Sequence, residues 1–283
     1  MTLAGCPGCG EAITPEDRFC EGCGTSLRFS RTPAGGPPWR DRMEYDLGPV
    51  AGVSDRGSAR ARNEDAMALA VVGAKQAPEA VVAVVCDGVG STAHADAAAQ
   101  AAVDAALDGI VEHLLTDSDP TEATVHGSAG AYASVAELAR PSSARADLAP
   151  SCTFVSAVVT PGGITVGWIG DSRAYWVSDS GSRLLTTDDA EPVAGALTRW
   201  VGADAEPAPP HLVTLPPGLP GRLVVCSDGL WNYLPTAEIL ATQVPAAPPS
   251  KVAAELTAVA LHAGGRDNIT VVVIPWPLEG ENA

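Results

Sequence analysis

The sequence predicts a layered α+β domain with helices packed on sheets, because strand-like runs come mostly in consecutive pairs while helical periodicity comes in separate blocks. The runs AVVAVVCDG, SCTFVSAVV, GITVGWIGDS, RAYWV, RLVVCSDG and NITVVVI are rich in β-branched and aromatic residues and read as strands. Apolar residues recur at helical spacing over Ala95–Leu115, Ala129–Arg140 and Lys251–Ala263. A strictly alternating parallel fold fits this order less well, and no internal repeat is visible.

Composition narrows the partners. A chain of 283 residues with 46% hydrophobic and 18% charged residues can bury a sizeable core, and 29 Gly with 24 Pro supply many turns. Its 17 basic and 34 acidic side chains give a net charge of −17, which repels phosphate backbones and anionic lipid. Neither nucleic-acid nor membrane binding is expected. No run of about 18 apolar residues occurs, and the first 30 residues lack a basic segment followed by an apolar one, so the chain reads as cytoplasmic.

Four of the seven cysteines crowd the start, where CPGCGEAITPEDRFCEGCG sets Cys6, Cys9, Cys20 and Cys23 in two C-x2-C pairs, each pair followed by Gly. That spacing is a zinc-ribbon pattern: four thiolates close a structural tetrahedral site, and binding worth about 10–16 kcal/mol can fold so small a knuckle. Redox or unpaired thiols are the plainer alternative. The ribbon's acidic balance favours protein docking over nucleic-acid reading. Cys86, Cys152 and Cys226 sit singly in apolar runs and read as buried hydrophobes. Residues 29–42, FSRTPAGGPPWRDR, carry Pro and Gly without apolar period and read as a linker. The expected division is a ribbon over 1–28, the linker over 29–42, the main domain over 43–276 and a tail over 277–283.

Chemistry concentrates in acids at strand ends. Asp87-Gly88 closes VVAVVCDG, Asp171 follows VGWIG, Asp228-Gly229 closes RLVVCSDG, and Asp267 precedes NITVVVI. Any one Asp-Gly reads most simply as a turn. Converging together, they would aim hard oxygen ligands at one place, and two carboxylates about 4 Å apart repel by roughly 4 kcal/mol at an effective dielectric near 20, so the cluster calls for Mg2+ or Mn2+. Upstream, SDRGSARARNEDA joins Arg60, whose guanidinium fork suits phosphate, to Asn63, Glu64 and Asp65.

The ordered set SDRG-x2-R-x2-NEDA, VCDGVG, SCTF, GWIGDSRAYW, LTTDDA, LTRWVG, VVCSDGLW and GRDNITVVV, spanning about Glu44 to Ile274, resembles the metal-dependent PPM-type (protein phosphatase 2C-like) serine/threonine phosphatases. The resemblance implies a four-layer α-β-β-α sandwich, two packed antiparallel sheets flanked by helices, with a binuclear Mn2+ or Mg2+ centre at one edge. By motif, Asp87 would bridge both metals, Asp228 and Asp267 would complete one site, and the Gly88 carbonyl would serve the other. Glu64 and Asp65 match acids of the metal-water shell, Arg60 the phosphate-holding arginine, and Asp171 an acid that with Asp228 can hold a third, weaker metal. Water held between two cations would hydrolyse phosphoserine or phosphothreonine directly, with phosphorylated proteins as substrates and a cognate serine/threonine kinase as the opposing partner.

The chain departs from the family in two places. The common bacterial D-G-M-G-G-H becomes DGVGSTAHADAAA, without the His that serves as leaving-group acid; His94, seven residues past Asp87, or water on the metal are the substitutes. LTTDDA carries Asp189 where relatives have His, and the segment up to LTRWVG is short, which leaves the groove open. These departures motivate a second reading, a catalytically weak pseudophosphatase that binds phosphoproteins.

Overall fold

The computed structural model describes the chain apart from residues 1–3, 6–8, 15–16, 18, 25–26, 36–40, 75–76, 93, 117, 140–148, 219 and 279–283. A short hairpin, β1 (Ala4–Gly5) with β2 (Ala12–Ile13), opens it. Strands β3 (Phe29–Arg31), β4 (Arg42–Asp46), β5 (Ala51–Asp55), β6 (Asp65–Ala74) and β7 (Ala77–Asp87) precede helices α1 (Ala95–Leu114) and α2 (Pro120–Leu138). Then come β8 (Ser151–Cys152), β9 (Phe154–Thr160), β10 (Gly163–Ile169), β11 (Arg173–Ser178), β12 (Gly181–Leu184), β13 (Val201–Gly202), β14 (His211–Leu215) and β15 (Gly221–Cys226). Helices α3 (Asp228–Trp231), α4 (Ala237–Ala241) and α5 (Pro249–His262) and strand β16 (Ile269–Trp276) complete the order.

Two six-stranded sheets form the centre, β14-β10-β9-β7-β6-β3 and β12-β11-β15-β16-β5-β4, with antiparallel pairing throughout. Alternation along each strand divides its side chains between two interfaces. In β7, Val81, Ala83 and Val85 face the other sheet, whereas Val82, Val84 and Cys86 face α1 and α2. In β16, Val272 and Ile274 join the inter-sheet layer while Ile269, Val271 and Val273 pack under α5. The three apolar clusters are therefore the three interfaces of a four-layer α-β-β-α sandwich, as expected. Small residues on both sides, such as Ala66, Ala68 and Ala70 of β6 against Ala98, Ala102 and Ala106 of α1, let helix and sheet approach closely.

Several boundaries differ from the sequence reading. The expected linker over 29–42 begins with β3, whose Phe29 pairs with Val72 and packs on the α1 side of the core. Arg31 reaches Asp104 at 3.1 Å and also Asp108, both on α1, and the segment ends by starting β4 at Arg42. The Pro and Gly between them masked two edge strands. Helix α2 begins at Pro120, well before Ala129, because Asp119 caps it by accepting from the Thr121 N–H and proline fits the first turn. The run SCTFVSAVV splits at Thr153 into β8 and β9. Strand β6 shows no alternation in the sequence, because its first eight residues are buried on both faces.

Candidate active site

Both sheets point acids at the same end of the sandwich. Asp87 ends β7 and pairs in register with Asp65, the first residue of β6. From the second sheet, Asp228 follows β15 and Asp267 lies two residues before β16, while Asp171 stands in the turn between β10 and β11. A cavity of about 150 Å³ is lined by Arg60, Asp87, Gly88, Thr153, Asp171, Leu197, Asp228 and Asp267, among others. Residues from seven motifs far apart in sequence thus meet in one place.

Local polar bonding holds Asp65 by its carboxylate and Asp87 and Glu64 by their backbone. Asp65, fully enclosed, accepts on Oδ2 from Ser227 Oγ (2.7 Å) and from Thr270 Oγ1 (2.8 Å). Thr270 in turn lies 2.8 Å from Ser54 Oγ, which accepts from Asn63 Nδ2 at 2.8 Å, so one directed chain of donors ends on the carboxylate. The Asp87 N–H donates to Thr153 Oγ1 (2.9 Å), itself 2.7 Å from Ser172 Oγ. Asn268 binds the arginine loop to β16 by accepting the Glu64 N–H (2.8 Å) and donating to the Arg56 and Arg62 carbonyls. Gly88 cannot be replaced here, since an added Cβ would sit 2.6 Å from the Ala95 carbonyl and 2.7 Å from that of Glu64.

The electrostatics are those of anions crowded together. Burial, then neighbouring carboxylates, push Asp171 up to about 7, and burial with the charges of Asp228 and Asp267 brings Asp65 to about 7 despite its two hydroxyl donors. Asp228 rises to about 6 through burial and Asp267, and Asp87 is driven well up by burial and four surrounding acids. Glu64 is raised by burial and partly rescued by Arg60. Arg60 donates to Asp267 Oδ2 at 2.6 Å.

The donor set suits a hard divalent cation. Among the described residues, Asp65 Oδ1 and Asp228 Oδ1 are buried without a hydrogen-bond partner, which is costly unless a cation or its water faces them. Carboxylates and a backbone carbonyl around a small cavity form an all-oxygen environment, the preference of Mg2+ and Mn2+.

Arg60, Glu64, Asp65, Asp87, Gly88, Asp171, Asp228 and Asp267 were all expected from the sequence, and the structure gathers all eight at this end. The hydroxyls and amide that hold them, namely Ser54, Thr153, Ser172, Ser227, Asn268 and Thr270, were not. Their signal was present: small polar residues beside an acid inside an apolar run must bond something when buried. His94 is exposed at the head of α1 with φ 58° and is not among the residues lining the cavity. Asp189 lies outside it as well, accepting the Gly170 N–H (3.0 Å) on Oδ2 and meeting His211 Nε2 at 2.9 Å on Oδ1. It pins the base of the short flap.

At the other end of the sequence, the Sγ atoms of Cys9, Cys20 and Cys23 lie within 4.8 Å of one another, and those of Cys9 and Cys20 are 3.5 Å apart, too far for a disulfide. Gly10 and Gly24, which follow the two second cysteines of the pairs, have φ of 79° and 73°, the left-handed turn that glycine adopts readily. Cys6 lies outside the described residues.

The family model of protein phosphatase 2C matches residues 55–260, and the chain belongs to that family. It is 29% identical over 245 residues, 79% of its length, to the serine/threonine protein phosphatase PstP of Mycobacterium tuberculosis. That alignment covers 44% of PstP, so the chain spans about half the length of this curated relative. Among solved structures, the PPM Ser-Thr phosphatase MsPP of Mycobacterium smegmatis, in complex with cacodylate, superposes with a TM-score of 0.63 at 26% identity, covering 80% of this chain and 97% of MsPP. The catalytic domain of PstP in complex with two manganese ions gives 0.61 at 23% identity over 80% and 97%, a likeness of fold.

Proposed function

We propose that the chain is a metal-dependent phosphoprotein phosphatase that hydrolyses phosphoserine and phosphothreonine. One observation carries this reading: an arginine fork and five buried or half-buried aspartates, two with orphaned oxygens, meet at one end of a two-sheet sandwich. PstP, a family relative, is named a serine/threonine phosphatase, and its catalytic domain was solved with two manganese ions.

Asp87, the Gly88 carbonyl, Asp228 and Asp267 would hold two Mn2+ or Mg2+ ions, with Asp171 and Asp228 offering a third, weaker position. Such cations supply Lewis acidity and charge neutralisation at a phosphoryl group and acidify water. Asp65, held by Ser227 and Thr270, and Glu64, held through its backbone by Asn268, would orient water beside the cations. Arg60 grips the phosphoryl oxygens through its free guanidinium edge while Asp267 fixes the other, which neutralises charge as it develops. Cys86 plays no nucleophilic part, because burial first and the neighbouring Cys152 next push its thiol up. The pseudophosphatase alternative has nothing in its favour beyond the missing histidine and the short flap.

For the N-terminal segment, the reading is a structural Zn2+ held by Cys6, Cys9, Cys20 and Cys23. A tetrahedral zinc thiolate site separates its sulfurs by about 3.8 Å, close to the spacing of Cys9 and Cys20. Phosphorylated proteins as substrates, an opposing kinase and a cytoplasmic setting complete the proposal; among the described residues no helix is long and apolar enough to cross a membrane. Hydrolysis of p-nitrophenyl phosphate and of phosphothreonine peptides, with Mn2+ and with EDTA, tests it. Turnover that requires Mn2+ supports the reading, and absence of turnover on both substrates contradicts it.

A further inference from the structure

Beside the acidic cavity lies a larger open one, about 490 Å³, and the two share Asp171. Its wall on the acidic side is a single locked unit. Arg173 donates from Nε and Nη2 to Asp188 (2.9 and 2.7 Å), from Nη1 to Tyr175 Oη and the Pro235 carbonyl, and lies 3.8 Å over the Trp231 ring. Trp231 Nε1 donates to the Asp171 carbonyl at 2.8 Å, tying this wall to the active site. Four of its five N–H donors are engaged and its charge is cancelled by Asp188, so it offers little to an anion.

The short flap lines the same groove. Glu191 and Pro192 line the groove there, Val193 beside them is 100% exposed, and Leu184 of β12 is 38% exposed. The Glu191 backbone is held, its N–H by the Ala196 carbonyl and its own carbonyl by Gly195, but among the described residues its carboxylate has no partner. The flap base is anchored by the Ala190–Leu197 bridge and by Asp189, and Leu197 itself lines the acidic cavity. The unpaired charge is thus carried on a flap with an anchored base, in a groove that Leu184 and Pro192 also line and that shares Asp171 with the acidic cavity.

We infer that this groove binds a residue flanking the phosphorylated side chain of the substrate, and that it selects a long cationic one, arginine or lysine, whose stem lies on Leu184 and Pro192 and whose head meets Glu191. The volume is within the range of sites that enclose small ligands, and an aliphatic stem with a charged tip matches the pairing of apolar ledge and lone carboxylate. An acidic flanking residue would instead meet Glu191 and a chain of net charge −17. This inference rests on the phosphatase reading above and specifies its substrate class.

The test compares phosphothreonine peptides identical except for arginine or glutamate at each position within three residues of the phosphate. In the full chain with Mn2+, at least one position should favour arginine by about threefold to fivefold in kcat/KM, the scale of an exposed ion pair, with the preference shrinking in high salt. Glu191→Lys should abolish or invert that ratio, and a ratio within one variant does not depend on the folded fraction. No preference for arginine at any position, or a ratio unchanged in Glu191→Lys, overturns the groove assignment. Turnover of p-nitrophenyl phosphate by the same preparation separates the failures: if it proceeds, the groove alone is wrong, and if neither substrate is turned over, the phosphatase reading falls and the groove with it.

Discussion

Arg60 Nη2 lies 2.6 Å from Asp267 Oδ2, so a guanidinium from the loop after β5 is joined to an acid 207 residues further along that lines the same cavity. The pair occupies one nitrogen of the arginine fork, and Arg60 itself lines that cavity. Arg60→Ala should lower kcat/KM by about 10- to 100-fold and weaken inhibition by inorganic phosphate, because a charge-assisted clamp is lost. Arg62, largely exposed and 3.4 Å from Asp96, is the control, and Arg62→Ala should change either quantity by less than about twofold. Steady-state kinetics with Mn2+ held saturating check both.

Metal removal should destabilise the fold in a pH-dependent way. Asp65 and Asp171 are raised to about 7 and Asp228 to about 6, against roughly 4 in an unfolded chain. Raised folded-state values mean that the unfolded chain releases protons first, so stability is greatest below about pH 4 as far as these groups are concerned and is lost as pH rises towards 7. In EDTA the thermal midpoint should therefore be lower at about pH 8 than at about pH 5.5, and Mn2+ should raise it most at the higher pH. A midpoint indifferent to both pH and Mn2+ would contradict the crowded-carboxylate account.

The hydroxyl chain beneath the site gives a prediction about a residue that touches no ligand. Thr270→Val keeps shape but removes a donor to Asp65 and a partner of Ser54. A loss of about 1–3 kcal/mol in urea unfolding is expected, the cost of leaving a buried polar group unsatisfied.

Much of this site was legible because its acids sit at the tips of apolar strands, where an aspartate stands out. Asp87, Asp171, Asp228 and Asp267 could be picked as a set from their places at strand ends. Their convergence could not, since the pairing of Asp65 with Asp87 and the meeting of two sheets are tertiary facts. Strand β6 was invisible because burial on both faces erases the period of two, and β3 because three residues beside a Pro and Gly run give no pattern. The locked Arg173–Asp188–Trp231 wall was equally hidden, its members lying on a strand, a loop and a helix.

The N-terminal cysteines predict about one tightly held Zn2+ per chain, and Cys20→Ser should release it. Because β3 belongs to the sheet and Arg31 is bound to α1, the place to truncate is near Leu27 and not Met43. A chain beginning near Leu27 should lose zinc and keep its thermal midpoint, whereas one beginning at Met43 should melt lower. Elemental analysis and thermal unfolding of the two truncations decide this.

The central claim is that the strand-end aspartates hold the cations required for phosphoester hydrolysis, and Asp228, which has an orphaned buried oxygen, bears on it most directly. The measurement is Mn2+-dependent release of phosphate from a phosphothreonine peptide by the unaltered chain and by Asp228→Asn, each with and without EDTA. EDTA should abolish turnover in the unaltered chain, and Asp228→Asn should lower it by at least about 100-fold. Turnover that survives EDTA, or that Asp228→Asn largely retains, would contradict the metal assignment.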